Sequence, residues 1–224
     1  MKVYSLLVFI ILFSLMASAQ KIEWEKDLIG AKSLSLINDS NGCVISGVFY
    51  KTLLFGGKSF SDSGNSNIFL AKINRSGEVA WLRMINSKDA PDEVKMKRDS
   101  FHNYYFIYRY DGGTFLIKCN EQGNTIWEKF IIIKEEESYF ELADIAFDGT
   151  GCVYITGSFR GTLELGDNLI NARGRCTFVA KLDTFGRFIW AKEFGKGSGI
   201  GISVDQSGNI IVAGILNGEL HSNN

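Results

Sequence analysis

NEQGNTIWEKF, residues Asn120 to Phe130, recurs in outline twice more in the chain, as NRSGEVAWLRM from Asn74 to Met84 and as DTFGRFIWAKE from Asp183 to Glu193. Each copy runs through a turn, a glycine and an apolar strand, with glycine and indole at a Gly-x-x-x-Trp spacing. A cofactor-docking tryptophan, a ligand site repeated around a ring, or a packing device would each write such a pattern. The flanking residues favour packing.

Working outward, each of these tryptophans follows a second marker: NIFLAKINRSG before Trp81, GTFLIKCNEQG before Trp127 and CTFVAKLDTFG before Trp190. A third marker runs through SNGCVISGVFYKTLLFGG, GTGCVYITGSFRGTLELGD and QSGNIIVAGILNGELHSN, aligned on Gly47, Gly157 and Gly214, with DSFHNYYFIYRYDGG as a divergent intervening copy. The unit is therefore about 55 residues long, the scale of a repeat architecture. Trp24, in KIEWEKDL, carries the same tryptophan signature ahead of the first full unit.

Within a unit every element reads as strand. SLSLINDS and GISVDQSG alternate apolar with small or polar residues, as a strand with one buried face does, whereas VISGVF, VYITGSF and IIVAGIL are apolar almost throughout. NDSNG, DGTG and DQSG put Asp or Asn ahead of Gly, where the Asx side chain caps a hairpin turn and Gly accepts positive φ. No helical periodicity interrupts them. The expected fold is all-β, with each unit a four-stranded antiparallel meander, strands A to D. A single such sheet cannot bury both its faces, so the units must stack, and radial stacking makes a β-propeller. The tryptophan then lies in strand D and fills the space between blades.

The run GSFRGTLELGDNLINARGRCTFVAKLDTFGRFIWAKEFG, Gly157 to Gly195, with ISVDQSGNIIVAG after it, resembles the bacterial SBBP, or seven-bladed beta-propeller, repeat. Gly47 to Met84 matches that pattern too, and the matching copies span most of residues 33 to 217. The resemblance implies an exported or cell-surface bacterial protein with an adhesive or binding role and no particular reaction. The family often places Asp just before the FVAK strand; Asn67 and Thr177 stand near that place here.

A lone D strand at KIEWEKDL, three full units and a closing A and B pair leave the chain one strand short of a four-bladed ring. Imperfect closure, truncation of a larger propeller and an open array all fit that count. About four units with the last incomplete, as a fragment of a larger propeller, is the favoured expectation. An open end exposes strand edges and invites self-association.

MKVYSLLVFIILFSLMASAQ opens the chain with one charge, an apolar stretch and Ala17-Ser18-Ala19, the layout of a cleavable signal peptide over residues 1–19. The mature β-propeller repeat domain would run over 20–224 in the periplasm, outside the cell or at its surface, with no stable membrane span after cleavage. The 24 basic and 25 acidic residues give a net charge of -1 and no case for nucleic acid as a partner. Cys43, Cys119, Cys152 and Cys176 show no metal-site spacing; Cys43 and Cys152, in NGCVISG and TGCVYITG, read as equivalent positions, and free thiols are favoured over disulfides.

A-to-B and C-to-D turns lie on one edge of a meander, and B-to-C and D-to-A connections on the other. The long connections, Lys51 to Asn67, Ile85 to Glu93, Ile131 to Phe140 and Arg160 to Cys176, all fall on the second edge. Binding is expected there, on loops carried by a rigid scaffold, with Asp62, Asn65, Asp167, Asn168 and Arg173 as candidates for a protein or glycan ligand. No GxSxG, HExxH or P-loop pattern is present, the glycine-rich GKGSGIG (Gly195 to Gly201) reads as a flexible D-to-A loop, and neither catalysis, metal nor cofactor is expected. NYYFIYRY (Asn103 to Tyr110) reads as sheet packing. The enzyme alternative is a pyrroloquinoline-quinone dehydrogenase, whose blades carry a similar Gly-x-x-x-Trp motif. That resemblance would imply eight such blades, calcium-binding carboxylates and often adjacent cysteines, and the chain has no Cys-Cys pair. A structural fragment of a larger surface protein is the third option.

Overall fold

A computed structural model describes residues 25, 27–85, 94–110, 113–132 and 138–217. The signal segment, Trp24, most of the connection up to Glu93, the acidic run 134–137 and the closing HSNN lie outside the described residues.

The described chain is strand and turn: β1 (Leu28–Asp39), β2 (Gly42–Phe55), β3 (Lys58–Asn74), β4 (Val79–Ile85), β5 (Val94–Arg98), β6 (Tyr104–Tyr110), β7 (Gly113–Cys119), β8 (Thr125–Ile131), β9 (Tyr139–Phe147), β10 (Val153–Leu165), β11 (Asn168–Leu182), β12 (Phe188–Val204) and β13 (Ile210–Leu216). They form three sheets in the orders β1-β2-β3-β4, β5-β6-β7-β8 and β13-β12-β11-β10-β9. The first two are the expected four-stranded meanders. The third has five strands, because the glycine-rich link is not a loop. Phe188 to Lys196 of β12 pairs with β11, and Gly197 to Val204 of the same strand pairs with β13. Glycine is needed there by proximity: a Cβ on Gly199 would collide with Thr156 Oγ1 and come within 3.0 Å of the Gly157 carbonyl oxygen. A side chain at this crossing would force Thr156 or the strand to shift.

The repeat is visible as register. Trp81 lies opposite Lys72, Trp127 opposite Lys118 and Trp190 opposite Lys181, and in all three hairpins the register slips immediately after that pair. Asx turns close the same edge of each unit. Asp99 Oδ1 accepts from the N–H of Phe101 and of Asn103, Asp148 Oδ1 from those of Thr150 and Cys152, and Asp205 Oδ1 from those of Ser207 and Asn209. In the third-to-fourth strand hairpins Asn74 Oδ1 accepts from the Glu78 N–H and the Ser76 hydroxyl, and Asp183 Oδ1 from the N–H of Phe185 and of Arg187. Each bond from an N–H satisfies a backbone donor that the turn would otherwise leave unpaired.

By compactness the chain divides into two units, the first Met1–Met96, Tyr108–Tyr110 and Gln122–Asn124, the second Lys97–Ile107, Asp111–Glu121 and Thr125–Asn224. In the first, Phe49, Phe69, Ala71 and Ile73 build a core with Leu53 and Phe55. In the second, Tyr105, Ile107, Leu116 and Ile131 pack with Val153, Ile155, Phe159 and Phe178 in one continuous core. Tyr104 to Tyr108 are all buried, so the aromatic run of β6 is spent on packing. Asp144 ties three strands of this unit together: its Oδ1 meets Lys97 Nζ of β5 at 2.6 Å, and its Oδ2 accepts from the Ile202 N–H of β12 at 3.0 Å.

All four cysteines are free thiols. Cys43 and Cys152 do not occupy equivalent positions. Cys43 pairs with Ile73 and is buried, whereas Val153 takes that place opposite Leu182 and Cys152 sits one residue earlier, half-buried. The first-to-second strand turn is one residue shorter at Asp39 than at Asp148, which shifted the apparent alignment.

Candidate functional site

Two of the long connections expected as loops are strands. β2 and β3 stay paired from Tyr50↔Ser66 out to Phe55↔Lys58, and β10 and β11 from Phe159↔Cys176 out to Leu165↔Asn168. Each hairpin slips register near its middle, at Lys51 in one and Gly161 in the other, both at positive φ. Beyond that bulge Leu53, Phe55, Leu163, Leu165 and Ala172 are buried, so the hairpins fold back onto their own unit's core rather than standing free. KTLLF and GTLEL carried the reason: their alternating apolar residues demanded a face to bury.

The candidates redistribute accordingly. Asp62 and Asn65 lie within β3, in the first unit. Asp167 is exposed in the β10–β11 turn, and Asn168 opens β11, its Nδ2 donating to the Leu165 carbonyl at 3.1 Å. Arg173 is exposed on β11. Asp167, Asn168 and Arg173 all lie along the β10–β11 hairpin of the second unit.

A different cluster does form on the expected edge, two residues beyond Arg173 and so on the same face of β11. Arg175 donates through Nε to Ser158 Oγ at 3.1 Å and through Nη2 to Tyr139 Oη at 2.8 Å and Glu141 Oε2 at 3.0 Å. Its guanidinium lies 4.4 Å from the centre of the Tyr139 ring, and Tyr139 donates to Glu141 Oε2 at 2.5 Å. Strand register creates this: Ser158 is opposite Glu141, and Arg160 opposite Tyr139. Burial, followed by the hydrogen bond and charge of Glu141, pushes the Tyr139 hydroxyl above its ordinary range against the opposing pull of Ser158 and Arg175. The phenol is thus a fixed neutral donor. Arg175 remains half exposed, at 48 % of its side chain, and Glu141 at 35 %, so a planar cation on an aromatic ring is presented to solvent with its orientation already set.

The cluster presents a cation and a carboxylate to solvent. Next to it, burial and then the charge and hydrogen bond of Glu193 push the Cys176 thiol up despite Lys196, so the thiolate needed for nucleophilic attack is disfavoured. Among the described residues no group of three or more His, Cys, Asp and Glu side chains is placed to hold a metal ion, and no helix is long and apolar enough to cross a membrane. Reading 160–176 as a loop hid Arg175; the period-two alternation of NARGRCTF, read as strand, would have placed it beside Arg173.

The repeated tryptophans are packing residues where their neighbours are described. Gly186 lies against the Trp127 indole so closely that a Cβ would be 2.8 Å from Cδ2, and Gly123 lies likewise on Trp81, at 2.9 Å from Cζ3. Trp127 Nε1 also donates to the Thr184 carbonyl at 3.1 Å. Each indole therefore sits under the glycine turn of the next unit in sequence. No protein-family model matches the chain, and no curated protein matches it.

Proposed function

We propose that the chain is an exported, non-catalytic β-propeller-type repeat scaffold of the SBBP kind, which binds a protein or glycan partner at a bacterial cell surface through the edge that carries Arg175. The observation that carries this is the Tyr139–Glu141–Ser158–Arg175 cluster, a solvent-facing cation held by three partners on the hairpin edge of a rigid sheet. Arg on an aromatic plane suits carboxylates, carbonyls and the polar face of a sugar. Further support comes from the register of the three tryptophan hairpins, which repeats as stacked blades require.

The test is a glycan and protein array probed with the processed chain beginning at Gln20. A retained partner that is lost on Arg175→Ala, with the melting temperature moved by only a few degrees, is the expected result. A wholly blank array, or binding indifferent to Arg175, contradicts the assignment. Mass spectrometry of the exported chain, expected to start at Gln20, checks the export step.

A further inference from the structure

The Arg175 guanidinium spends only part of its hydrogen-bonding capacity inside the chain. Of its five N–H donors, the one on Nε goes to Ser158 Oγ, and the two on Nη2 go to Tyr139 Oη and Glu141 Oε2. The Tyr139 hydroxyl donates in turn to the same Glu141 oxygen, and Ser158 at the inner end is fully buried. Among the described residues nothing accepts from the two Nη1 hydrogens, and nothing donates to Glu141 Oε1. Nη1 shares Cζ with Nη2, and Oε1 shares Cδ with Oε2. A pair of donors and an acceptor therefore flank the 3.0 Å contact between Nη2 and Oε2, on side chains that the pairing of β9, β10 and β11 brings together.

That inventory selects a ligand. A carboxylate binds arginine best through two parallel bonds from neighbouring nitrogens, and every such pair here includes a nitrogen already committed to Ser158, Tyr139 or Glu141. An anion seated on Nη1 alone would also face the Glu141 carboxylate, and like charges brought together oppose binding. Arg173, two residues farther out on β11, is the cation an acidic ligand would use instead. We propose that the Arg175 edge takes a neutral saccharide by two adjacent hydroxyls, one accepting from Arg175 Nη1 and the other donating to Glu141 Oε1; this rests on the reading of that edge as the binding face and narrows its ligand. A hydroxyl is donor and acceptor at once, so such a pair answers both groups without adding charge. Hydroxyls on neighbouring ring carbons stand side by side. The C=O and N–H of a trans peptide unit point in opposite directions and cannot reach both groups together.

The processed chain from Gln20 is probed on an array that pairs neutral hexose oligomers with hexuronic-acid oligomers of the same linkages and carries peptides alongside. Retention of neutral oligomers over their acidic counterparts by about tenfold or more is the expected result. Arg175→Ala and Arg175→Lys should each lose it, since lysine supplies a charge without the Nη1 pair. Glu141→Gln, nearly isosteric and so a variant that keeps the fold, should weaken the neutral ligands about tenfold by replacing a charged acceptor with a neutral one. Preference for acidic oligomers, retention that depends on Arg173 and not on Arg175, peptides as the sole Arg175-dependent ligands, or neutral ligands indifferent to Glu141→Gln would each overturn the proposal. Arg175-dependent retention of acidic oligomers or peptides would leave the edge standing as the binding face, whereas a blank array would remove both readings.

Discussion

Trp127 and Trp190 occupy the same place in consecutive units, yet they live in different surroundings. Trp127 has the Gly186 turn on one face, the Tyr105 ring at its edge and a carbonyl on its N–H. Trp190 keeps the equivalent tyrosine, Tyr154, but lines an open cleft. The paired lysines register the same contrast. Burial pushes Lys118 below its ordinary value against the pull of Asp99, whereas the hydrogen bond to Tyr154 lifts Lys181 above its own against its slighter burial. Both indoles are half-buried, and what differs among the described residues is that a glycine turn lies over Trp127 while Trp190 lines a cleft.

The largest way to break the comparison is to remove each indole. Trp127→Ala should cost about 2 kcal/mol, less than a fully buried large aromatic because the indole is half-buried, and Trp190→Ala about 1 kcal/mol. Urea unfolding checks both; equal losses would mean that the turn contributes nothing. Next come the glycines. Gly186 and Gly208 close Asx turns of the same form, at φ 79 and 84, in the β11–β12 and β12–β13 hairpins, but a Cβ meets Trp127 at the first and nothing within 4 Å at the second. Both alanine variants carry a backbone cost of about 1 kcal/mol, and Gly186→Ala should lose about 1–2 kcal/mol more through the displaced indole.

The Asp148 turn sharpens the picture through pH. Burial would raise this carboxyl, but hydrogen bonds from Thr150, Cys152 and Tyr154 outweigh it and hold the value at about 2, against an ordinary 3.8. A depressed folded-state value means stability present above the unfolded value and lost as pH falls from about 4 through about 2, worth about 2 kcal/mol in all. Asp148→Asn should remove that limb from the acid unfolding curve; an unchanged curve would show that the turn does not hold the carboxylate. The smallest effect is spectroscopic: NMR titration of the Lys Cε carbons should place Lys181 above Lys118.

Much of this was legible in the residues. Asx-Gly turns and period-two alternation gave strands, hairpins and repeat, because those signals are local. Elsewhere packing overrules an apparent loop composition. GKGSGIG looked flexible, yet glycine serves there to bring β12 onto β10. KTLLF and GTLEL looked like loop insertions, yet their alternate leucines and phenylalanine had to be buried. The Arg175 cluster needed long-range register, since Tyr139, Glu141 and Ser158 reach Arg175 only when β9, β10 and β11 are laid side by side. Single-sequence patterns do not contain that information.

The central claim is that the repeated tryptophan is a seat for the glycine turn of the next unit. It is tested most directly by a double-mutant cycle between Trp127→Phe and Gly186→Ala, read by urea unfolding. Direct contact predicts a coupling energy of about 1 kcal/mol or more, because the smaller ring relieves the added Cβ. Losses that add to within about 0.3 kcal/mol would contradict the claim.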